Sequence, residues 1–211
     1  MAVRGRLSRL HAEAPLLLPL VVIAFSIVAG CAREPQDVHE ARLAAERFVA
    51  ALASKNLAEV RQRATCVVSM QSVQGGNVLR VGTVRRFPIS SLDSLTASAF
   101  VAHQRAESLW TQARSGGRDD QFDSIRRAAR LEIIYRNALR AITLSRPDVL
   151  HDSKTLLETR AVRMRVRYAG AVVGPKPVDR EMILRLLKAP LGKWIAFSLY
   201  TAEDDPQPDG V

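Results

Sequence analysis

Hydrophobic residues recur at intervals of three and four in the region that follows residue 36, and this spacing predicts helices. The first helix begins near Asp37, and its apolar face consists of Val38, Ala41, Ala45, Phe48 and Leu52. Asn56 is followed three residues later by Glu59, which predicts an N-cap with a capping box at the start of a second, short helix.

Two longer segments in the middle of the chain show the same spacing. The apolar positions of the first are Leu92, Leu95, Ala99, Ala102, Ala106, Leu109 and Ala113. Those of the second are Phe122, Ile125, Ala129, Leu131, Tyr135, Ala138 and Ile142. Only Ser115, Gly116, Gly117 and Arg118 separate the two segments. A connection this short predicts an antiparallel helical hairpin.

The last third of the chain changes to a period of two, which is typical of strands. In residues 161–168 the side chains alternate between an apolar set (Val162, Met164, Val166, Tyr168) and a basic set (Arg163, Arg165, Arg167). Residues 178–188 and 193–201 predict two further strands, joined by a turn at residues 189–192. Residues 67–73 and 78–87 also look extended, and Gly75, Gly76 and Asn77 between them predict a hairpin turn.

These elements predict an α+β fold in which a curved antiparallel sheet of about five strands packs against N-terminal helices and a long helical hairpin. A single domain is expected over residues 37–202. Residues 203–211 are acidic and poor in apolar side chains, so we expect a disordered tail there.

The first 30 residues have the layout of a secretory signal. Arg4, Arg6 and Arg9 precede an uncharged run of fourteen residues, from Leu16 to Ala29. As a helix this run would cover about 21 Å, which is too short for a hydrocarbon core of about 30 Å.

The uncharged run ends in Val28, Ala29, Gly30 and Cys31. This sequence resembles the lipobox of bacterial lipoproteins. The resemblance implies that a diacylglycerol is attached to the Cys31 sulfur, that cleavage follows Gly30, and that the new amino group can be acylated as well. Residues 1–30 would then be a cleaved signal peptide, residues 31–36 a lipidated tether, and the protein a membrane-anchored component of the cell envelope. Ala32 after the cysteine implies the outer membrane where the envelope has two membranes.

Residues 45–64 (AERFVAALASKNLAEVRQRA) and 186–200 (LLKAPLGKWIAFSLY) resemble the opening helices and the final hairpin of the nuclear transport factor 2-like superfamily. The resemblance implies a cone-shaped α+β domain over residues 40–200. Its members include isomerases, dehydratases, transport factors and lipoproteins, so fold alone does not define an activity. The helical hairpin exceeds the single helix that those proteins usually have at this place.

The composition excludes some stabilising devices and some partners. Without residues 1–30 the chain carries 28 basic and 20 acidic side chains. Cys66 is the only cysteine besides Cys31, so we expect no internal disulfide and a buried, unreactive thiol in an apolar stretch. Export and an aromatic content of 5% argue against nucleic acid as a partner.

No recognisable catalytic or metal-binding motif occurs in the sequence. His39, His103 and His151 stand alone on separate segments, and none has metal-ligand spacing to another ligand. Asp179 and Glu181 are candidates for a general base, but cross-strand pairing with arginines explains them better. We therefore predict no enzyme, no cofactor and no metal site.

Arginines on the predicted strands are the strongest functional feature. If Arg163, Arg165, Arg167, Arg180 and Arg185 converge, with Arg85, Arg86 and Lys188 on neighbouring strands, they would attract anionic head groups or an acidic partner. A solvated basic face is the structural alternative. Three functions follow. The first is a lipoprotein that binds a protein partner or an anionic envelope component. The second is a small-molecule or lipid site, or a cryptic enzyme, in the cone, and the third is a structural spacer whose hairpin mediates oligomerisation.

Overall fold

The structure is a computed structural model that describes residues 34–66, 73–113, 119–145, 154–170, 174–189 and 192–206. These residues form four helices, α1 (Gln36–Ala53), α2 (Leu57–Arg63), α3 (Ile89–Ala113) and α4 (Asp119–Ser145). They also form five strands, β1 (Val73–Val81), β2 (Arg85–Pro88), β3 (Leu156–Gly170), β4 (Gly174–Lys188) and β5 (Trp194–Thr201). The predicted α+β fold with a curved five-stranded antiparallel sheet is confirmed.

Several sequence predictions fall outside the described residues. They are the signal peptide, the lipidation site Cys31, the loop between the two long helices, His151 and the last five residues. Residues 67–72 of the first predicted extended segment and residues 190–191 of the predicted turn also lie outside the described residues. Within the described part of the chain, no helix has the length and apolarity needed to cross a membrane.

The strands form a single sheet in the order β1–β3–β4–β5. β2 lies on the same side of β3 as β1, so the two follow each other along one edge: β1 pairs with residues 162–168 and β2 with residues 156–159. On the opposite edge, Thr65 donates its backbone N–H to the carbonyl oxygen of Ala196 at 2.8 Å, and this contact covers part of β5.

The helices cover the two faces of the sheet. We call the face that carries Val162, Met164 and Val166 the α1 face, because these fully buried side chains form one core cluster with α1. The opposite face, which we call the hairpin face, carries Leu157 and Leu187 in a second cluster with α3 and α4. Both clusters lie within residues 36–211, which form one compact unit. Because this unit contains its own core, we expect it to fold without the preceding residues.

The predicted helical hairpin is present in the described residues. α3 and α4 pack against each other, and the rings of Trp110 and Phe122 meet edge to face with centroids 4.1 Å apart. The predicted N-cap of α2 is also confirmed, since Asn56 Oδ1 accepts a hydrogen bond from the Glu59 backbone N–H at 3.2 Å. The return bond of the capping box differs, because Glu59 Oε2 accepts from the Asn56 side-chain amide.

The predicted hairpin turn at Gly75, Gly76 and Asn77 is wrong. These residues lie inside β1, where they pair with Arg167, Val166 and Arg165 of β3. A Cβ atom on Gly76 would lie 2.7 Å from the Arg165 carbonyl oxygen and 3.1 Å from a methyl carbon of Val49 on α1. Gly76 therefore permits close packing of β1 against β3 and α1, and it does not form a turn.

The beginning of the predicted disordered tail is held by the domain. Asp204 Oδ1 lies 2.9 Å from Arg130 Nη1 on α4, and Arg130 also donates a hydrogen bond to the Asp204 carbonyl oxygen. Asp205 is buried and pairs with Arg185 on β4. This segment thus connects α4 to the centre of the sheet.

Candidate functional site

A cavity of about 410 Å³ lies between the hairpin face of the sheet and the helical hairpin. Its walls are mainly apolar and include Phe87, Leu92, Leu95, Ile134, Ala138 and Phe197. The volume and the apolar walls are typical of sites for small molecules.

The sequence explains why space remains here. The helical hairpin packs on the sheet through Leu92, Ile134 and Ile142, which are almost fully buried. Between these large residues, Ala138 on α4 and Ala161 on β3 contribute only methyl groups to the cavity wall. Larger side chains at these two positions would fill the space.

Four arginines line the cavity: Arg85, Arg86, Arg160 and Arg185. Arg86 pairs with Glu158, and Arg160 pairs with Asp37. Arg85 on β2 is exposed and pairs in register with Thr159, which also lines the cavity. The Arg185 side chain is only 6% exposed, and its Nη2 lies 2.5 Å from Asp205 Oδ2. The apolar walls and the guanidinium N–H donors together suit a ligand with an apolar body and a hydrogen-bond-accepting end such as a carboxylate.

The five arginines predicted to form an anion-binding patch do not converge. Arg163, Arg165 and Arg167 share the hairpin face, and Arg165 and Arg167 are exposed. Arg180 lies opposite Val166 and is therefore on the α1 face, while Arg185 is buried. The predicted single patch is thus wrong for Arg180 and Arg185.

Cross-strand ion pairs occupy two of the three remaining arginines. Arg163 Nη1 lies 3.4 Å from Glu181 Oε2, and Arg167 Nε lies 2.9 Å from Asp179 Oδ1. The hydrogen bond from Arg167 lowers the pKa of Asp179 below its ordinary value. This confirms that Asp179 and Glu181 are solvent-facing pairing residues.

The other residues considered for chemistry have structural surroundings. His103 Nε2 lies 3.5 Å from Glu107 on the same helix, and His39 is exposed on α1. Burial raises the pKa of the half-buried Cys66 thiol to about 12, so the thiol is protonated at neutral pH. The described residues contain no group of three His, Cys, Asp or Glu side chains that could hold a metal ion.

The sequence patterns did not predict the buried pairing of Arg185 with Asp205, although one feature of the sequence indicates a buried arginine at position 185. Arg185 interrupts the apolar run of residues 182–187, and continuous apolar runs predict strands that are buried on both faces. A single arginine in such a run needs a buried acidic partner. Nothing in the composition of the tail singled out Asp205 as that partner.

Comparisons of the chain with protein-family models, with curated proteins and with solved structures find no match. The function is therefore inferred from the residues and the geometry of this chain.

Proposed function

We propose that the protein is a membrane-anchored envelope lipoprotein that binds an amphipathic, anionic small molecule in the cavity between its sheet and its helical hairpin. The observation that carries the proposal is the coexistence of apolar walls with Arg85 and Arg185 in one cavity of about 410 Å³. A fatty acid or a similar carboxylate with a hydrocarbon body has the matching chemistry. The proposal assigns no catalytic step to the protein.

The sequence supports the proposed membrane attachment and the proposed superfamily. The basic segment, the short apolar run and the lipobox ending in Cys31 favour lipid attachment. Attachment of two or three acyl chains would hold the protein on the membrane permanently. A cavity between a curved sheet and helices is also what the resemblance to the nuclear transport factor 2-like superfamily implies, and we propose membership on that basis.

Binding of an acidic protein partner through the strand arginines has less support. Two of the three arginines on the exposed part of the hairpin face already pair with Asp179 and Glu181, which removes much of their net charge. Arg180 lies on the α1 face, and Arg185 is buried on the hairpin face in its pair with Asp205.

The proposal can be tested with a fluorescent fatty acid, dansylated undecanoic acid, and the chain from Glu34 onward. Leu95 lines the cavity and is 43% exposed, so a Leu95→Trp substitution places bulk at the cavity without disturbing the core. We expect the substitution to weaken binding by at least about tenfold, which is about 1.4 kcal/mol.

Leu109→Trp is the matched control, because Leu109 lies on the same helix with the same exposure and does not line this cavity. Its affinity should equal that of the unsubstituted chain. Arg85→Met should weaken binding of the acid and leave binding of dansylated undecanol unchanged. Equal affinities in the Leu95→Trp and Leu109→Trp chains would show that the probe binds elsewhere and would contradict the proposal.

A further inference from the structure

A second concave surface lies between α1, α2, the end of α4 and the start of β5. We call it the basic groove; its volume is about 720 Å³, and it shares no lining residue with the cavity described above. Arg47, Arg61 and Lys193 line it and are exposed. Arg63 also lines it but pairs with Glu59 at 2.9 Å.

The charge of the basic groove is strongly unbalanced. Glu40 is its only acidic lining residue in the described part of the chain, and its Oε1 accepts a hydrogen bond from Gln36 at 3.0 Å. Three exposed cations therefore face one carboxylate. A concave surface with this balance attracts anions at low and physiological ionic strength.

A buried donor in the same groove points to a ligand with acceptor atoms. Trp194 lines the groove and is 8% exposed, and its indole Nε1 is a buried donor without a hydrogen-bond partner among the described residues. Buried indole N–H groups usually have a partner. A rearrangement of the groove wall on binding would bring a phosphate oxygen to this N–H group, while the exposed cations balance the charge of the phosphate.

The position of the groove along the chain indicates where such phosphates would come from. Glu40 and Arg47 lie on α1, which begins at Gln36. Gln36 is five positions after Cys31, and five positions extend over at most about 17 Å. A lipid on Cys31, as proposed above, would hold the start of α1 within this distance of the head groups.

We infer that the basic groove binds the phosphate head groups of anionic phospholipids. The groove would orient the lipoprotein on its membrane and leave the ligand cavity as a separate site. For the source of the phosphate this inference rests on the proposed lipid anchor, while the groove itself does not depend on the anchor.

The test uses the chain from Glu34 onward with Trp110→Phe, so that Trp194 is the only tryptophan. Vesicles of phosphatidylglycerol should change the Trp194 fluorescence with saturation, and vesicles of phosphatidylcholine should not. The double variant Arg47→Glu/Arg61→Glu should bind phosphatidylglycerol at least about tenfold more weakly. The control Arg126→Glu/Arg127→Glu changes the same charge at exposed positions of α4 and should bind normally.

Each other outcome overturns the inference. No saturable change with phosphatidylglycerol would exclude head-group binding, and equal loss in both double variants would show a nonspecific charge effect. Full competition by inorganic phosphate at the concentration of accessible head groups would show a site for free phosphate. Because the chain from Glu34 lacks Cys31, none of these outcomes depends on lipid attachment, which the mass of the mature protein reports separately.

Discussion

Single residues decide how closely the layers of this protein approach. Gly76 lies where β1 passes under α1, and the missing side chain allows the Val49 methyl group and the Arg165 carbonyl oxygen to meet the β1 backbone. The glycine pair looked like a turn in the sequence because two adjacent glycines and an asparagine are typical of hairpins. The packing reason for Gly76 becomes visible only when β3 and α1 are placed next to it.

A Gly76→Ala substitution should therefore destabilise the domain. The added methyl group would lie 2.7 Å from a backbone oxygen, so β1 or β3 must shift. We expect a loss of about 1–3 kcal/mol in the free energy of unfolding, measured by urea denaturation. Asn77→Ala, at the exposed next position, should change it by less than about 0.5 kcal/mol. Equal stability of the two variants would contradict the packing role of Gly76.

The helices and strands could be predicted from the sequence where a regular hydrophobic period runs through them, but the contacts between them could not. The helices follow from a spacing of three and four, and β3 follows from strict alternation, because each pattern buries one side of one element. The spacing also shows that Arg180 and Arg185, which are five residues apart on one strand, lie on opposite faces of the sheet. The prediction of a single patch did not take this period of two into account. The pairing of Arg185 with Asp205 depends on the path of the chain after β5, which no period encodes.

Removal of one partner of the Arg185–Asp205 pair should lower the free energy of unfolding strongly, whereas replacement of both partners by apolar residues should lower it little. Arg185→Met leaves the buried Asp205 carboxylate without its cation, and we expect a loss of about 3–5 kcal/mol in urea unfolding. The double variant Arg185→Met/Asp205→Leu removes both charges and should recover most of that stability. A double variant as unstable as the single one would show that the pair does not act as a unit.

At the scale of the whole molecule, ion pairs connect the start of α1 to the sheet, and they connect the segment after β5 to both α4 and the sheet. Desolvation raises the pKa of Asp37, but the hydrogen bond and charge of the buried Arg160 outweigh it, so the pKa lies below the ordinary value. The same balance, with Arg130 as the cation, lowers the pKa of Asp204. Arg167 lowers that of Asp179.

These shifts predict a domain that loses stability in acid. A carboxyl group with a lowered folded-state pKa contributes stability that is complete above its unfolded pKa of about 3.9 and is lost as the pH falls through the folded pKa. We expect the urea concentration at the midpoint of unfolding to be similar at pH 7 and pH 5 and to decrease when the pH is lowered below about 4. Asp37→Asn should reduce this acid-dependent loss, and a midpoint that is independent of pH down to 3 would contradict the role of the pairs.

The proposed ligand of the cavity between the sheet and the hairpin is an amphipathic anionic molecule. The most direct measurement is native mass spectrometry of the mature protein extracted from its own envelope. We predict a species that exceeds the lipidated chain by the mass of one small acidic molecule, and we predict that this species is absent from the Leu95→Trp variant and retained in Leu109→Trp. Absence of such a molecule from both the unsubstituted protein and the Leu109→Trp variant would contradict the proposal.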